Sequence, residues 1–330
     1  MTVDRRAILA GGAALGASTL AAPAIAQQKI QWRMVTTWPK NAPGVGVNAQ
    51  RLADRIGAMS GGRMAVELFA AGELVPPFEA LDAVRQGVAE LSHSASFFWI
   101  GKSEELNYFG SIPFGLTASE IAGWLYFGGG LGLWEETMAE FGIKPLFAGS
   151  SGISAGGWFR KEINSVADLQ GLKFRIAGLG GEVMRRLGAT TVVTPPGEVY
   201  TALERGVIDG YGWPLWGIQD LGWDKYTKFR HDPGFISAAV AVIVNLDKWK
   251  GLAEDQRQCL TKTAIWAEHE WPKWRAAEDA HQMATQQKAG IKAVDLGPRF
   301  AEQAEEAYWA DLAKGDPEFV KKVRPLMSGK

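Results

Sequence analysis

Arg175 stands inside an apolar run, Leu172-Lys-Phe-Arg-Ile176, bounded by Gly171 and Gly178. The run reads as a short strand. Side chains alternate faces along a strand, so Arg175 is expected opposite Phe174 and Ile176, with Lys173 on its own side. A guanidinium at the carboxyl end of such a strand can fork two N–H donors onto a carboxylate. The next residues, Ala177-Gly-Leu-Gly-Gly181, can bring backbone N–H groups and a helix start to the same place. An arginine in this setting also serves in internal ion pairs, and Phe-Arg-Ile alone does not separate the two roles.

Little else in the chain suggests catalysis. The four histidines are His93, His231, His269 and His281. None stands in an H-E-x-x-H arrangement, and one cysteine cannot form a metal cluster. No serine-nucleophile constellation is read. Ala177-Gly-Leu-Gly-Gly-Glu182 lacks the third glycine of a dinucleotide loop. These features predict a binding protein with no cofactor rather than an enzyme.

Strands are expected at residues 29–36, 64–69, 89–97, 143–149, 190–194 and 207–213, with a long β-rich run at 235–245. Helical patterns lie between them, at 46–59, 78–88, 119–141, 181–187 and 197–205. Gly128-Gly-Gly130 should break the 119–141 helix. Ser165 is a candidate N-cap, with Asp168 in the capping-box position. Residues 253–288 form one long helical pattern with a kink expected at Pro272. Two shorter helices, 298–314 and 317–323, close the chain. Alternating strands and helices imply α/β lobes with largely parallel sheets.

Arg5-Arg6 precede a small-residue apolar run, and Ala24-Ile-Ala26 offers a cleavage site before Gln27. This pattern suggests a twin-arginine signal peptide over residues 1–26, with the Sec route as the alternative. The formal net charge of −1 implies no nucleic-acid partner. Cys259 cannot form an intramolecular disulfide and is expected to pack as a small hydrophobe. The 14 tryptophans exceed ordinary usage, and some could line a cleft for a small acid with an apolar body.

Several motifs together resemble the solute-binding proteins of tripartite ATP-independent periplasmic (TRAP) transporters. They are Ala71-Gly-Glu-Leu-Val-Pro76, Phe78-Glu-Ala-Leu-Asp-Ala83, Trp99-Ile-Gly-Lys102 and Pro113-Phe-Gly115. Further along come Gly128-Gly-Gly-Leu131, Gly157-Trp-Phe-Arg-Lys161, the 165–176 stretch and Ala202-Leu-Glu-Arg-Gly-Val-Ile-Asp-Gly210. Within that family the chain is similar to the branch that binds 2-oxo acids and related monocarboxylates. The resemblance implies a periplasmic, two-lobe α/β binding-protein fold with hinge strands and a long lobe-spanning helix, for which 253–288 is the candidate. The implied division is residues 27–142 for the first lobe, 143–234 for the second, and 235–330 for the hinge return and C-terminal helices.

The resemblance also implies function. The protein would capture an organic monocarboxylate and deliver it to the TRAP membrane permease. A dicarboxylate or sulfonate ligand, or a periplasmic enzyme or sensor-linked protein on the same fold, are the alternatives. Relatives can dimerise through exchanged C-terminal helices, so a homodimer stays open. Arg175 is the implied carboxylate anchor and Trp213 the aromatic wall. Ser150 and Ser154 stand where relatives carry amide side chains, and Phe98 where they carry a tyrosine. Relatives hold a ligand-bridging cation on a carboxylate at the position of Gly212, and a glycine with two serines is a poor cation site. No metal is therefore expected. The smaller residues at 150, 154 and 212 suggest room for a bulkier, branched or aromatic acid.

Overall fold

The structure is a computed structural model that describes residues 29–327 apart from Ala155 and Asp316. The expected signal peptide lies outside the described residues. Two sheets organise the chain. In the first, β1 (Ile30–Thr36), β2 (Met64–Phe69) and β3 (Leu91–Ser94) run parallel in the order β2-β1-β3. The sheet is completed by β10 (Ile236–Asn245), antiparallel to β3, and by β4 (Ile143–Ser154), antiparallel to β10. β10 is an almost unbroken run of Ala, Val and Ile, as a strand covered on both faces requires.

The second sheet has the order β11-β9-β5-β8-β6-β7. Its members are β5 (Gly157–Phe159), β6 (Lys173–Arg175), β7 (Thr190–Val192), β8 (Gly210–Tyr211), β9 (Phe229–Asp232) and β11 (Lys292–Asp295). β6 is parallel to both β7 and β8. Three connections cross between the sheets: β4 runs almost directly into β5, β9 into β10, and the chain after β10 returns through helices to β11.

Residues 143–149 were expected to open the second sheet. They belong instead to the edge of the first, because β4 pairs with β10 along nearly its whole length. The second sheet begins at Gly157. The strand expected over 207–213 is paired only at Gly210–Tyr211. The strand expected over 89–97 ends at Ser94 and gives way to a 3-10 turn, Ser96–Trp99.

Helix α1 (Gly46–Met59) buries Ala49, Leu52, Ala53 and Ile56, one face at helical spacing. The glycine triplet does divide its segment, into α3 (Ala118–Phe127) and α4 (Gly130–Ala139), with Gly129 at φ 85°. Asp168 accepts from the Ser165 N–H at 2.9 Å, closing the expected capping box. Helices α2 (Ala80–Arg85), α5 (Gly180–Arg186), α6 (Val199–Glu204) and α7 (Leu246–Gly251) are short, whereas helix α8 (Glu254–Lys288) runs 35 residues with Pro272 inside it. Its first half buries Cys259, Leu260, Ala264 and Ala267 in the core of the first sheet, with Leu52 and Ile56 of α1. Its second half reaches the other sheet: Gln286 donates to the Leu215 carbonyl at 2.7 Å and accepts from Arg230 at 2.8 Å. One helix thus touches both lobes. Among the described residues, no helix is long and apolar enough to cross a membrane.

Candidate functional site

The cleft between the sheets narrows to a cavity of about 50 Å³. Its walls come mainly from residues just past the carboxyl ends of strands, where ligands gather in open α/β sheets. Trp38 follows β1, Phe97 and Phe98 follow β3, and Ile176 and Ala177 follow β6. Gly212 and Trp213 follow β8, while Ile236 and Ala238 come from β10. Ser111, Ser151 and Ser154 supply hydroxyls that have no hydrogen-bond partner among the described residues.

Arg175 is the one charged residue in this lining, and only 2 % of it is exposed. Its Nε and Nη2 both donate to the Thr194 carbonyl, at 2.9 and 2.7 Å, and Nη1 reaches the Gly212 carbonyl at 3.3 Å. A guanidinium has five N–H donors, so two remain for a ligand. Among the described residues no carboxylate pairs with it. Burial lowers its pKa to about 10, which leaves it charged at neutral pH. Placing a charge here without a counter-charge is costly. An arriving anion removes that cost.

Trp213 holds the guanidinium over its ring, 5.7 Å from the centroid. Its own orientation is fixed at both ends. Its indole N–H donates to the Trp216 carbonyl at 2.9 Å, and its carbonyl accepts from the Trp158 indole at 3.0 Å. Phe98 packs between Phe97, Trp38 and Phe78 with ring centroids 4.7, 5.4 and 5.1 Å away. Trp38 donates its indole N–H to His93 Nδ1 at 3.1 Å. That contact places the imidazole proton on Nε2. Full burial pushes the His93 pKa down to about 3, so the ring is neutral and an acceptor.

The structure brings together four of the five residues expected at the site: Arg175, Trp213, Ser154 and Phe98. Ser150 is not in this lining. It sits at an irregularity between β4 and β10, where its Oγ donates to the Ala238 carbonyl at 2.7 Å and accepts from the Gly152 N–H at 3.0 Å. Its hydroxyl is used to hold the bulge, and it borders a separate depression beneath Trp271 and Pro272. Of the glycine-rich 177–181 loop, only Ala177 lines the cavity. The reading of the sequence passed over Trp38, Ser111, Ser151 and Ile176. The position of Trp38, Phe97 and Ile176 just after strands was the available signal.

One motif was also missed: Gly152-Ile-Ser-Ala-Gly156 has the G-x-S-x-G spacing. A nucleophile elbow needs a sharp strand-to-helix turn. Here Ser154 ends β4, bridges to Pro214, and the chain continues into β5. Among the described residues no histidine hydrogen-bonds to Ser154.

At Gly212 the expected extra room is taken up by a neighbour. An added Cβ at Gly212 would lie 2.7, 2.9 and 3.3 Å from the Cδ1, Cγ1 and Cβ of Ile176. That side chain fills the space Gly212 leaves. Among the described residues no cluster of three or more His, Cys, Asp or Glu could hold a metal ion.

The arrangement has counterparts of known identity. The description of bacterial extracellular solute-binding protein family 7 matches residues 34–315. A monocarboxylate 2-oxoacid-binding periplasmic protein of Nostoc is 44 % identical over 238 residues, 71 % of this chain. The matched region spans 65 % of that relative's length. A TRAP solute-binding protein of Bordetella bronchiseptica, crystallised with calcium and picolinate, superposes with a TM-score of 0.84 at 31 % identity, covering 90 % of each chain. One from Pseudoalteromonas atlantica, with sodium and pyruvate, gives 0.83 at 31 % identity over 90 % of this chain and 94 % of that one. A buried arginine at a strand end, in a cleft between two crossed α/β lobes, therefore sits in a chain that belongs to family 7 of the bacterial extracellular solute-binding proteins, the periplasmic receptors of TRAP transporters, which are transport proteins and not enzymes.

Proposed function

We propose that this chain captures the anion of a small organic monocarboxylic acid between its lobes and presents it to a TRAP membrane permease. The observation that carries this reading is Arg175, a buried guanidinium with two free N–H donors and no carboxylate partner among the described residues. As the single charge in the lining, it supports a monocarboxylate over a dicarboxylate, whose second charge would be buried unpaired. The Nostoc relative's 2-oxo acids and the pyruvate of the Pseudoalteromonas protein are acids of this class. A cavity of about 50 Å³ is a few times the roughly 10–15 Å³ that admits one water. It favours a compact body of a few carbons over an aromatic one.

A thermal-shift screen of organic acids tests the reading. A ligand of the folded state raises the midpoint by mass action, and pyruvate should do so in the wild type but not in Arg175→Ala. Stabilisation by sulfonates or dicarboxylates alone would overturn it. The N-terminus fits the same role. Export by the twin-arginine route predicts a mature protein beginning at Gln27, and the double change Arg5→Lys, Arg6→Lys should hold the precursor in the cytoplasm. Normal delivery of that variant would assign the Sec route. The mixed-occupancy dimer of the Bordetella relative supports a homodimer as a proposal that sedimentation would test.

A further inference from the structure

The two solved relatives hold their acids beside calcium or sodium. The residues here do not fit a cation in that place. Calcium takes roughly 6–8 oxygen ligands, and carboxylates supply most of the affinity. The lining offers three neutral serine hydroxyls and no carboxylate. Gly212 has no side chain, and both its backbone groups are engaged with Arg175: its N–H donates to the Arg175 carbonyl at 2.7 Å, and its carbonyl accepts from Nη1. The atoms next to where a side chain at 212 would begin are Ile176 carbons. A cation there would face methyl and methylene groups, with the uncompensated Arg175 charge close by.

We propose that this chain binds its acid without a cation, and that Ile176, seated against Gly212, is the residue that sets this specificity. The proposal rests on the carboxylate reading above. Its consequence concerns what the site recognises. A bridging cation can ligate a carboxylate and a 2-oxo oxygen together, and so reads the 2-oxo group. Here only the hydroxyls of Ser111, Ser151 and Ser154 can meet that oxygen, and one neutral hydrogen bond changes affinity by at most about tenfold. The site therefore selects a carboxylate with a compact apolar body and is nearly indifferent to a 2-oxo group.

Calorimetric titration of the mature protein, dialysed against EDTA in sodium-free buffer, tests this with pyruvate and propanoate as probes. Added calcium or sodium should change either dissociation constant by less than about threefold, and the two acids should lie within about tenfold of each other. Affinity that rises more than about tenfold with a cation, or tryptophan-sensitised luminescence from terbium bound with pyruvate, would overturn the proposal. Failure of both acids to bind in any buffer, or unchanged binding in Arg175→Ala, would instead overturn the carboxylate reading and remove the proposal with it. The role of Ile176 has its own arm. Gly212→Glu alone should lower the thermal midpoint, because the new Cβ meets Ile176. Gly212→Glu combined with Ile176→Ala should recover the midpoint and bind pyruvate more tightly with calcium. A folded double variant still indifferent to calcium would show that Ile176 does not set the specificity. Should it not fold, the wild-type cation titration still decides whether binding is cation-free.

Discussion

Arg175 and Arg230 are two shielded arginines in one sheet, and the chain treats them in opposite ways. Arg230, on β9, sends Nε and Nη2 to Asp232 at 3.1 and 2.9 Å and Nη1 to Gln286 of α8 at 2.8 Å. Its charge is matched within the protein, and its contacts tie a crossing strand to the long helix. Arg175, on β6, donates to the carbonyls of Thr194 and Gly212 and lies over the Trp213 ring, with no carboxylate beside it among the described residues. Carbonyl dipoles orient a guanidinium but do not neutralise it. The matched arginine holds the frame together. The unmatched one leaves its charge and two N–H donors facing the cavity.

The largest expected effect follows from the unmatched residue. Arg175→Ala and Arg175→Lys should weaken binding of the acids found in the thermal screen by about 2–5 kcal/mol, on the order of 30-fold to several thousand-fold. Lysine keeps the charge but not the planar fork. The ligand-free midpoint should change little in the alanine variant, because loss of three hydrogen bonds to carbonyls is offset by removal of an uncompensated buried charge. Wild-type affinity in the alanine variant would erase the contrast between the two arginines.

His93 gives the comparison a third member, a buried base that stays neutral. Its pKa lies near 3 in the folded chain, depressed by burial, against an unfolded value of 6.5. Between those values the unfolded chain binds the proton and the folded one does not. The unfolding free energy should therefore fall as pH drops below about 6.5, by about 1.4 kcal/mol per pH unit from this group alone. His231, also lowered by burial, acts in the same direction. Urea unfolding between about pH 7 and pH 4 measures the slope, and His93→Gln should flatten it. An equal slope in that variant would mean that His93 is not a neutral acceptor for Trp38.

The smallest effect belongs to the matched arginine. Arg230→Gln should lower stability by about 1–2 kcal/mol, since Asp232 is partly exposed and water can replace the lost partner. Acid affinity should change by less than about threefold. A large loss of affinity with unchanged stability would reverse the roles assigned to the two arginines.

How far the sequence reached is clear from particular residues. Arg175 was singled out by the family resemblance of its Lys-Phe-Arg strand, because the residue pattern alone fits an internal ion pair as well. Trp213 and Phe98 were placed by the motifs around them. Ser150 was misplaced because a strand irregularity changes which residue faces the cleft, and that depends on pairing with β10 far away in the chain. Ile176 was put on the face opposite Arg175, as alternation requires. The strand, however, ends at Arg175, and the chain turns through Gly178 at φ 67°. Alternation stops there, and Ile176 returns to the cleft. Its encounter with Gly212 joins residues from two strands and has no trace in either local pattern.

Helix α8 has a mechanical consequence. At about 1.5 Å per residue, its 35 residues form a rod of about 52 Å, clamped near one end among α1 and β4 and near the other by Gln286. A rod fixed at both ends allows its supports to part only by flexing. Pro272, near the middle of the span, has no N–H to offer the Glu268 carbonyl, so the rod is least stiff there. Any parting of the lobes is thus concentrated at one compliant joint, beside the Trp216–Trp271 ring contact at 4.6 Å, and the rest of the beam carries that bend as rotation of whole bodies.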